Sequence, residues 1–431
     1  VGLDSRGFRK IILNALDKTQ NELVEYYPNQ ILKEESLIFI NQALREIHDP
    51  KNSKSLAKAI HRIKFDEHFF FQILMALRKK KNKDCNGRIF SKKGAIVRDI
   101  YNNLNFELTS SQIKVLKEIR SDLSSSKSMN RLLQGDVGCG KTIVAILASA
   151  IVSDNNAQVA VLAPTEILAE QHYKSFKSHF SKAGVEVGLL LGKMKPKDKT
   201  ELLDKISKSK VNIVIGTHAL LQENVLFNDL GLIIIDEQHR FGVSHRKKII
   251  EKGSNADMLS MTATPIPRTL AITIHGDMDI SVIDELPKNR AHVKTKVISQ
   301  LKIDSTYNFM INEMKKNHQC FIVYPIIEES EKLDLKAAMT SFELLKNTVF
   351  KDFEIGYIDG RMKKEERDLE MERFLKKETL CLVSTTVIEV GIDIPNATVM
   401  LIENADRFGL SQLHQLRGRI GRGDKNGYCF L

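Results

Sequence analysis

The chain has 431 residues, 42% of them hydrophobic and 28% charged, a composition that excludes intrinsic disorder, collagen-like repeats and small disulfide-bonded scaffolds. Its 65 Lys and Arg exceed its 54 Asp and Glu, and the net charge of +11 favours an acidic partner such as nucleic acid. Most of this surplus lies in one stretch, because residues 51–100 hold 14 Lys and Arg against 4 Asp and Glu.

Residues 1–105 predict a helical segment. Phe70, Ile73, Leu74 and Leu77 have the i, i+3, i+4, i+7 spacing of one apolar helix face. The basic run at residues 78–83 (RKKKNK) follows them. Two interpretations of this run stay open: a solvated helix end and loop, or direct contact with nucleic acid.

From residue 106 onward, short β-branched runs alternate with helical stretches, which predicts two tandem α/β domains with parallel sheets. The first domain is expected over residues 106–287, with strands at 131–133, 158–163, 211–216, 232–235 and 258–261. The second is expected over residues 288–431, with a helix at 364–376 and strands at 293–298, 320–325, 354–358, 380–384, 399–402 and 428–431. A linker is predicted at residues 284–290 (DELPKNR), which carry a proline and mixed charges.

A phosphate-binding loop is predicted where the first strand of this region meets its helix. Residues 135–142 (GDVGCGKT) fit the pattern GxxxxGK[ST] in that context, so a chance match is disfavoured. Backbone N–H groups of such a loop surround phosphate oxygens, and the positive end of the helix adds to the attraction. Lys141 is expected to reach the β- and γ-phosphates of ATP, and the Thr142 hydroxyl to bind Mg²⁺. The remaining nucleotide-binding residues of the loop are Gly135, Asp136, Val137, Gly138, Cys139 and Gly140.

Two acidic residues follow an apolar strand in the segment LIIIDEQH at residues 232–239. The carboxyl ends of parallel strands are where open α/β sheets bind ligands. We therefore expect Asp236 to hold Mg²⁺ and Glu237 to orient and deprotonate the attacking water. A role for both residues as helix caps is the structural alternative.

Two arginines in the segment QLRGRIGR, residues 415–422, complete the predicted site. Phosphoryl transfer develops charge on the γ-phosphate, which an arginine from another domain can stabilise. Arg419 and Arg422 are the candidates, and their approach on closure of the cleft would tie hydrolysis to domain motion. The alternative is a basic turn on a surface helix.

In this order the motifs resemble those of superfamily 2 helicases, which have two RecA-like domains. The match spans residues 106–431, and five further segments carry it: 106–112 (FELTSSQ), 163–171 (APTEILAEQ), 216–220 (GTHAL), 262–265 (TATP) and 384–393 (STTVIEVGID). The resemblance implies that Gln112 reads adenine and that Asp393 lies at the ATP site. It also implies that the second and third segments grip a nucleic-acid backbone, and that the fourth links the ATP state to strand movement.

Longer strings resemble one family, the bacterial RecG branched-DNA helicases. They are LQGDVG at 133–138, DEQHRFGV at 236–243 and ATPIPRTLAITIHGDMDISVIDELPKNR at 263–290. Transcription-repair coupling translocases resemble part of these sequences, but they usually have Glu at the position of Gln238. Two residues depart from the RecG pattern: Cys139 replaces the usual Ser, and Asp359 stands where His is usual.

This resemblance implies an ATP-dependent DNA helicase motor that uses ATP and Mg²⁺ to remodel forks and Holliday-type junctions in recombination and repair. Contacts are expected mainly at phosphates, since Trp is absent and aromatic residues are only 6%. We expect a monomer, while a contact with single-strand-binding protein is not readable from the sequence. The alternatives are a duplex translocase of the transcription-repair type, an RNA helicase, and an ATP- and DNA-binding module without unwinding activity.

Other features of the chain concern its context. The five cysteines show no CxxC spacing, which predicts free thiols in a reducing cytosol. No run approaches the about 18 apolar residues of a membrane helix, so we expect a cytoplasmic, nucleoid-associated protein without membrane contact. Because the chain starts at Val1 and RecG proteins carry a wedge domain and a C-terminal helical hairpin, we expect a fragment that lacks both.

Overall fold

The structure is a computed structural model that describes residues 4–19, 22–83, 87–92, 94–253, 255–264, 278–287, 292–325, 331–385, 394, 396–421, 423 and 425–431. The chain divides into two compact units, one built on Val1–Lys81 and the other on Asn82–Ile272 and Met278–Leu431. None of the helices in the described ranges has the length and hydrophobicity to span a lipid bilayer.

The first unit is helical, as predicted. Tyr27, Leu32 and Leu37 form its small core, against which Phe65 and Phe69 pack. Its helices are α1 (Ser5–Thr19), α2 (Asn29–Glu34), α3 (Ile40–His48) and α4 (Ser53–Lys83).

Helix α4 confirms the predicted helical spacing, but the four apolar residues that define it are not buried. Phe70, Ile73, Leu74 and Leu77 are 40% to 60% exposed. The helix also runs through the basic stretch instead of ending before it. Among the side chains of residues 78–83, only that of Lys80, which is exposed, belongs to the described part of the chain, so the role of the run stays a prediction.

The second unit begins with a seven-stranded sheet in which every neighbouring pair is parallel, in the order β3-β4-β2-β5-β6-β1-β7. Its strands are β1 (Asn130–Gly135), β2 (Gln158–Leu162), β3 (Val187–Leu190), β4 (Ile213–Gly216), β5 (Leu230–Ile235), β6 (Asp257–Thr262) and β7 (Asp279–Ile283). The associated helices are α5 (Ala95–Asn102), α6 (Ser110–Leu123), α7 (Lys141–Asp154), α8 (Glu166–Phe180), α9 (Pro196–Ser207) and α10 (Val243–Ile250).

The sequence patterns predict five of these strands and miss β3 and β7, which lie at the two edges of the sheet. Strand β3 is only four residues long and contains Gly188, while β7 mixes buried with exposed positions. Strand β7 therefore lacks the continuous apolar run that marks a strand buried on both faces, while in β3 a glycine, which is depleted in strands, interrupts a short run.

A second parallel sheet follows, with six strands in the order β10-β11-β9-β12-β13-β8. Its strands are β8 (Val293–Lys296), β9 (Gln319–Val323), β10 (Ile355–Ile358), β11 (Cys381–Ser384), β12 (Ala397–Ile402) and β13 (Gly427–Phe430). Its helices are α11 (Ile303–Lys315), α12 (Glu331–Asn347), α13 (Lys364–Leu375) and α14 (Leu410–Arg417). Two tandem parallel sheets confirm the predicted fold class, while the boundaries at residues 105 and 287 stay predictions.

The strand order positions the site. β5, β6 and β1 are consecutive neighbours in the first sheet, so the residues that follow these three strands meet at one edge. These residues are the predicted phosphate loop after β1, the Asp236–Glu237 pair after β5, and Ala263 with Thr264 after β6.

Candidate functional site

The loop between β1 and α7 depends on glycine at two positions. Gly138 and Gly140 have φ of 78° and 90°, the left-handed region that other residues rarely adopt. A Cβ on Gly140 would also lie 2.2 Å from Gln112 Nε2. Any larger residue at position 140 would therefore both strain the backbone and push the loop away from α6.

Gln112, in the first turn of α6, is hydrogen-bonded to this loop. Its Oε1 accepts a hydrogen bond from Thr109 N at 2.9 Å, and the Thr109 hydroxyl caps α6 by accepting one from Gln112 N. Its Nε2 donates to the carbonyl oxygen of Cys139 at 2.8 Å. The side chain is buried, so it ties the start of α6 to the loop. Its predicted contact with adenine stays a prediction.

Lys141 occupies the inside of the loop. Its Nζ donates to the carbonyl oxygens of Gly135 at 2.7 Å and Asp136 at 2.9 Å. These neutral acceptors hold the ammonium group where incoming phosphate oxygens would replace them with charge-assisted bonds, which are stronger. Thr142 follows at the start of α7 and lines the same cavity.

Asp236 is fixed by a histidine of α8 and by the backbone of the residue that follows it. Its Oδ2 lies 2.8 Å from His172 Nε2, and its Oδ1 accepts a hydrogen bond from Glu237 N at 3.0 Å. Burial favours the protonated acid, but the hydrogen bond to His172 and the charge of Lys141 outweigh it and lower the pKa of Asp236. The carboxylate is thus kept ionised inside the protein.

The pKa of Glu237 is shifted in the opposite direction from that of Asp236. Burial, and next the negative charge of Asp236, raise the pKa of its carboxyl group above the ordinary value of 4.5. Its backbone is left-handed, with φ of 48°, and its Oε2 accepts a hydrogen bond from Ala263 N at 3.3 Å. Because Ala263 belongs to the predicted TATP segment, that segment touches Glu237 directly. On either side of Ala263, the hydroxyl oxygens of Thr262 and Thr264 lie 2.7 Å apart.

Arg419 reaches the same place from the second sheet. A cavity of 510 Å³ has Lys141, Asp236 and Glu237 on one side and Arg419 on the other. Arg419 is buried, and its charge acts on Glu237. The structure therefore brings together Lys141, Thr142, Asp236, Glu237 and Arg419, although 278 residues separate Lys141 from Arg419 in the sequence. Arg422 and Asp393, which the sequence also predicts at this site, lie outside the described residues.

The two departures from the family pattern have local roles. Cys139 is buried, and its Sγ would lie 2.4 Å from a Cβ on Gly135, so it packs inside the loop. Asp359 caps a turn, because its Oδ1 accepts hydrogen bonds from the N–H groups of Arg361 at 2.8 Å and Met362 at 3.0 Å.

The segments predicted to grip nucleic acid follow β2 and β4, so they begin at the same carboxyl edge of the first sheet as the site, and Pro164, Leu168 and Gln171 line its cavity. The Thr165 side chain caps α8 by accepting a hydrogen bond from Leu168 N. His218, in the GTHAL segment, lines an open groove with His245 and Lys248. Burial, and then the nearby His245, lower the pKa of His218. Contact of these residues with nucleic acid stays a prediction.

Sequence patterns do not point to two histidines that the structure places at the site. His172 contacts Asp236, and His414 Nε2 lies 2.8 Å from Asp136 Oδ1. Both are adjacent to predicted motifs: His172 directly follows the segment 163–171, and His414 directly precedes the segment 415–422. Their position beside a motif is the one feature of the sequence that could have indicated them, but nothing in the neighbouring sequence indicates which residue each histidine contacts.

The residues present fit a magnesium ion bound together with a nucleotide. In the described part of the chain, no group of three or more His, Cys, Asp and Glu could hold a metal by itself. Mg²⁺ does not require such a group, since it usually takes one or two protein oxygens together with phosphate and water. Thr142 and the ionised Asp236 offer that pair on one cavity wall.

Comparison with known proteins gives matches along the whole chain. A DEAD/DEAH box helicase model matches residues 109–272, and a helicase conserved C-terminal domain model matches residues 301–424. The ATP-dependent DNA helicase RecG of Synechocystis sp. is 44% identical over 431 residues, which are 100% of this chain and 52% of that protein. RecG of Streptococcus pneumoniae is 46% identical over 432 residues, covering 100% of this chain and 64% of that protein.

A solved structure agrees with these matches. RecG bound to a three-way DNA junction superposes with a TM-score of 0.80 at 41% identity, covering 100% of this chain and 57% of that one. The chain thus spans between about half and two thirds of the length of the relatives it matches.

Proposed function

Because this chain belongs to the RecG family of ATP-dependent DNA helicases, we propose that it is the motor part of an enzyme that uses ATP hydrolysis to remodel branched DNA. The observation that carries the proposal is the composition of one cavity. Lys141, Asp236 and Glu237 lie on segments that follow strands of the first sheet, and Arg419 lies just after helix α14 of the second sheet. A site shared in this way couples the chemistry to the relative position of the two sheets.

In the proposed reaction the loop binds the phosphates and Lys141 exchanges its two carbonyl partners for phosphate oxygens. Thr142 and Asp236 would hold Mg²⁺, which supplies charge neutralisation at the β- and γ-phosphates. Glu237 orients the attacking water and accepts its proton, a step that its raised pKa favours. Arg419 stabilises the charge that develops on the transferred phosphoryl group.

Glu237 also offers a route from chemistry to movement. Its carboxylate accepts from Ala263 N, within the segment that the resemblance assigns to coupling. Loss of the γ-phosphate would change the position of Glu237 and with it this hydrogen bond. We infer that the 262–264 segment transmits the state of the nucleotide to the DNA-contacting parts.

Branched DNA, meaning forks and junctions, is the proposed partner. Two observations support it: one relative of known structure is RecG bound to a three-way DNA junction, and the chain has a net charge of +11. Contacts would be mainly to phosphates, which makes binding insensitive to sequence and sensitive to salt. We propose that the chain acts as a monomer in the cytoplasm, at the nucleoid.

The experiment measures ATP turnover by the chain with and without fork DNA, beside the variant Lys141→Ala. We expect turnover by the wild-type chain, stimulation by the fork, and loss of turnover in the variant with an unchanged melting temperature. Turnover by Lys141→Ala at the wild-type rate would contradict the site. A second assay follows strand separation of the same fork. ATP turnover without separation would identify an ATP- and DNA-binding motor that does not unwind DNA by itself.

A further inference from the structure

We propose that His414 is a positioning residue for ATP hydrolysis, which docks the second sheet's helix α14 onto the phosphate loop and thereby places Arg419 over the nucleotide. This inference rests on the proposed function and names a part of the same site. His414 does not reach the cavity itself. It acts on Arg419 through the last turn of α14.

The docking contact is a hydrogen bond between parts of the chain that are 278 residues apart. His414 Nε2 donates to Asp136 Oδ1 at 2.8 Å. Asp136 is oriented for it, because the same Oδ1 accepts a hydrogen bond from Val137 N at 2.6 Å. The two side chains are 23% and 34% exposed, so water competes with the contact only in part.

A second contact, independent of the hydrogen bond, occurs one helical turn later. Gly418 N donates to the carbonyl oxygen of His414, so these residues lie on the same side of α14. A Cβ on Gly418 would lie 2.5 Å from the Cβ of Val137. The backbone of α14 therefore rests directly on the phosphate loop, at a point where only glycine fits.

Arg419 comes next in the chain, buried and facing the cavity. Its position depends on where the last turn of α14 sits, and that turn touches the loop through His414 and Gly418. Without the His414 side chain, Gly418 could still approach Val137 closely, but no hydrogen bond from α14 would keep it there. The guanidinium group would then spend less time at the γ-phosphate, while the phosphate loop itself would keep its shape.

The test separates catalysis from nucleotide binding. His414→Ala should lower kcat for ATP about three- to tenfold, the effect expected for a partly exposed hydrogen bond to a charged group. The affinity for a fluorescent ADP analogue should change less than twofold, because the loop makes most of that contact. His414→Gln should recover most of kcat, since its amide can donate from a similar distance. Ser411→Ala, an exposed position on the same helix, is the matched control and should leave kcat unchanged.

A double-mutant cycle with Asp136→Ala tests whether the two residues act together. In the Asp136→Ala background, the further change His414→Ala should have no additional effect on kcat. Equal effects in both backgrounds, or a loss of kcat matched by an equal loss of ADP affinity, would overturn the inference. If the wild-type chain hydrolyses ATP and His414→Ala has the same kcat, the inference is overturned and the proposed function is not affected. Absence of turnover in the wild-type chain would overturn both. If His414→Ala fails to fold, Asp136→Ala removes the same contact from the side of the loop and should lower kcat to a similar extent.

Discussion

His172 Nε2 lies 2.8 Å from Asp236 Oδ2, so a residue of α8 holds the carboxylate that is proposed to bind Mg²⁺. The contact follows from the order of the sheet, because α8 follows β2 and Asp236 follows β5, and β2 and β5 are neighbours. The ring of His172 packs edge-on against Phe176, which fixes its orientation. Second contacts of this kind orient metal ligands in many proteins.

We predict that His172→Phe weakens nucleotide binding only when Mg²⁺ is present. The ring volume is kept but the hydrogen bond to Asp236 is lost, so the carboxylate can rotate away from the metal position. Loss of an outer partner typically costs about 10- to 100-fold in metal affinity. Titration of a fluorescent ADP analogue with Mg²⁺ and with EDTA measures the difference. An equal loss of affinity in both buffers would show that His172 acts on the fold and not on the metal site.

Glu237→Gln should bind ATP with near wild-type affinity but hydrolyse it about 10²- to 10⁴-fold more slowly. The amide keeps the size of the side chain and can still accept from Ala263 N, but it cannot take a proton from water. Single-turnover hydrolysis and equilibrium binding together measure both quantities. Unimpaired hydrolysis would remove Glu237 from the role of base.

Arg62→Met should destabilise the first unit strongly. The Arg62 guanidinium is fully buried and donates to Glu25 Oε1 at 2.8 Å and to Asp66 Oδ1 at 2.8 Å. Burial opposes the charge on Glu25, but the bond from Arg62 outweighs it and lowers the pKa of Glu25 to about 2. Removing the cation leaves two carboxylates without their partner, at a cost of about 3–5 kcal/mol.

The measurement for this variant is hydrogen exchange of the α4 amides, which reports on the first unit alone. Arg45→Met is the matched control, because Arg45 pairs with Asp17 at the surface, where both side chains are about half exposed. The control should change the free energy of unfolding by less than about 1 kcal/mol. Similar effects of the two substitutions would contradict the structural role of the buried pair.

Asp257→Asn should stabilise the chain more as the pH rises. Burial raises the pKa of Asp257 to about 7, and its Oδ2 is buried without a hydrogen-bond partner. A carboxyl group whose folded-state pKa is raised supports folding fully only below its ordinary value of 3.8, and that support is lost as the pH rises through 7. The advantage of the uncharged Asn should therefore grow by about 2 kcal/mol between pH 5 and pH 8.

Urea unfolding at the two pH values measures that change. Asp198→Asn, at an exposed position of α9, should give the same difference from wild type at both. An advantage of Asp257→Asn that does not depend on pH would show that the carboxyl group is not protonated in the folded state.

Neutralising the basic run should flatten the salt dependence of DNA binding. Each Lys that contacts a phosphate contributes about one unit to the slope of log K against log salt concentration. The variant changes four lysines to Gln: Lys79, Lys80, Lys81 and Lys83. Its control changes four exposed lysines of the α9 region, Lys197, Lys205, Lys208 and Lys210. A slope equal to that of the wild type would mean that the run is only a solvated surface.

Local pattern alone predicts much of this protein. The spacing of glycines before Lys141, and two acids after an apolar strand, identify a nucleotide site because each motif is short and contiguous. Continuous apolar runs likewise predict the central strands of both sheets, since these are buried on both faces. The edge strands β3, which is short and contains Gly188, and β7, which is partly exposed, give a weaker signal and become visible only in the sheet.

The tertiary structure decides which distant residues meet. His172 and Asp236 are 64 residues apart, and His414 and Asp136 are 278 apart, so no periodicity in the sequence relates them. The sequence also predicts an apolar face on α4 without indicating that Phe70 and Leu77 stay exposed. Helical spacing is a property of neighbouring residues, whereas burial and hydrogen-bond partners depend on how strands order in a sheet and on what then packs against them.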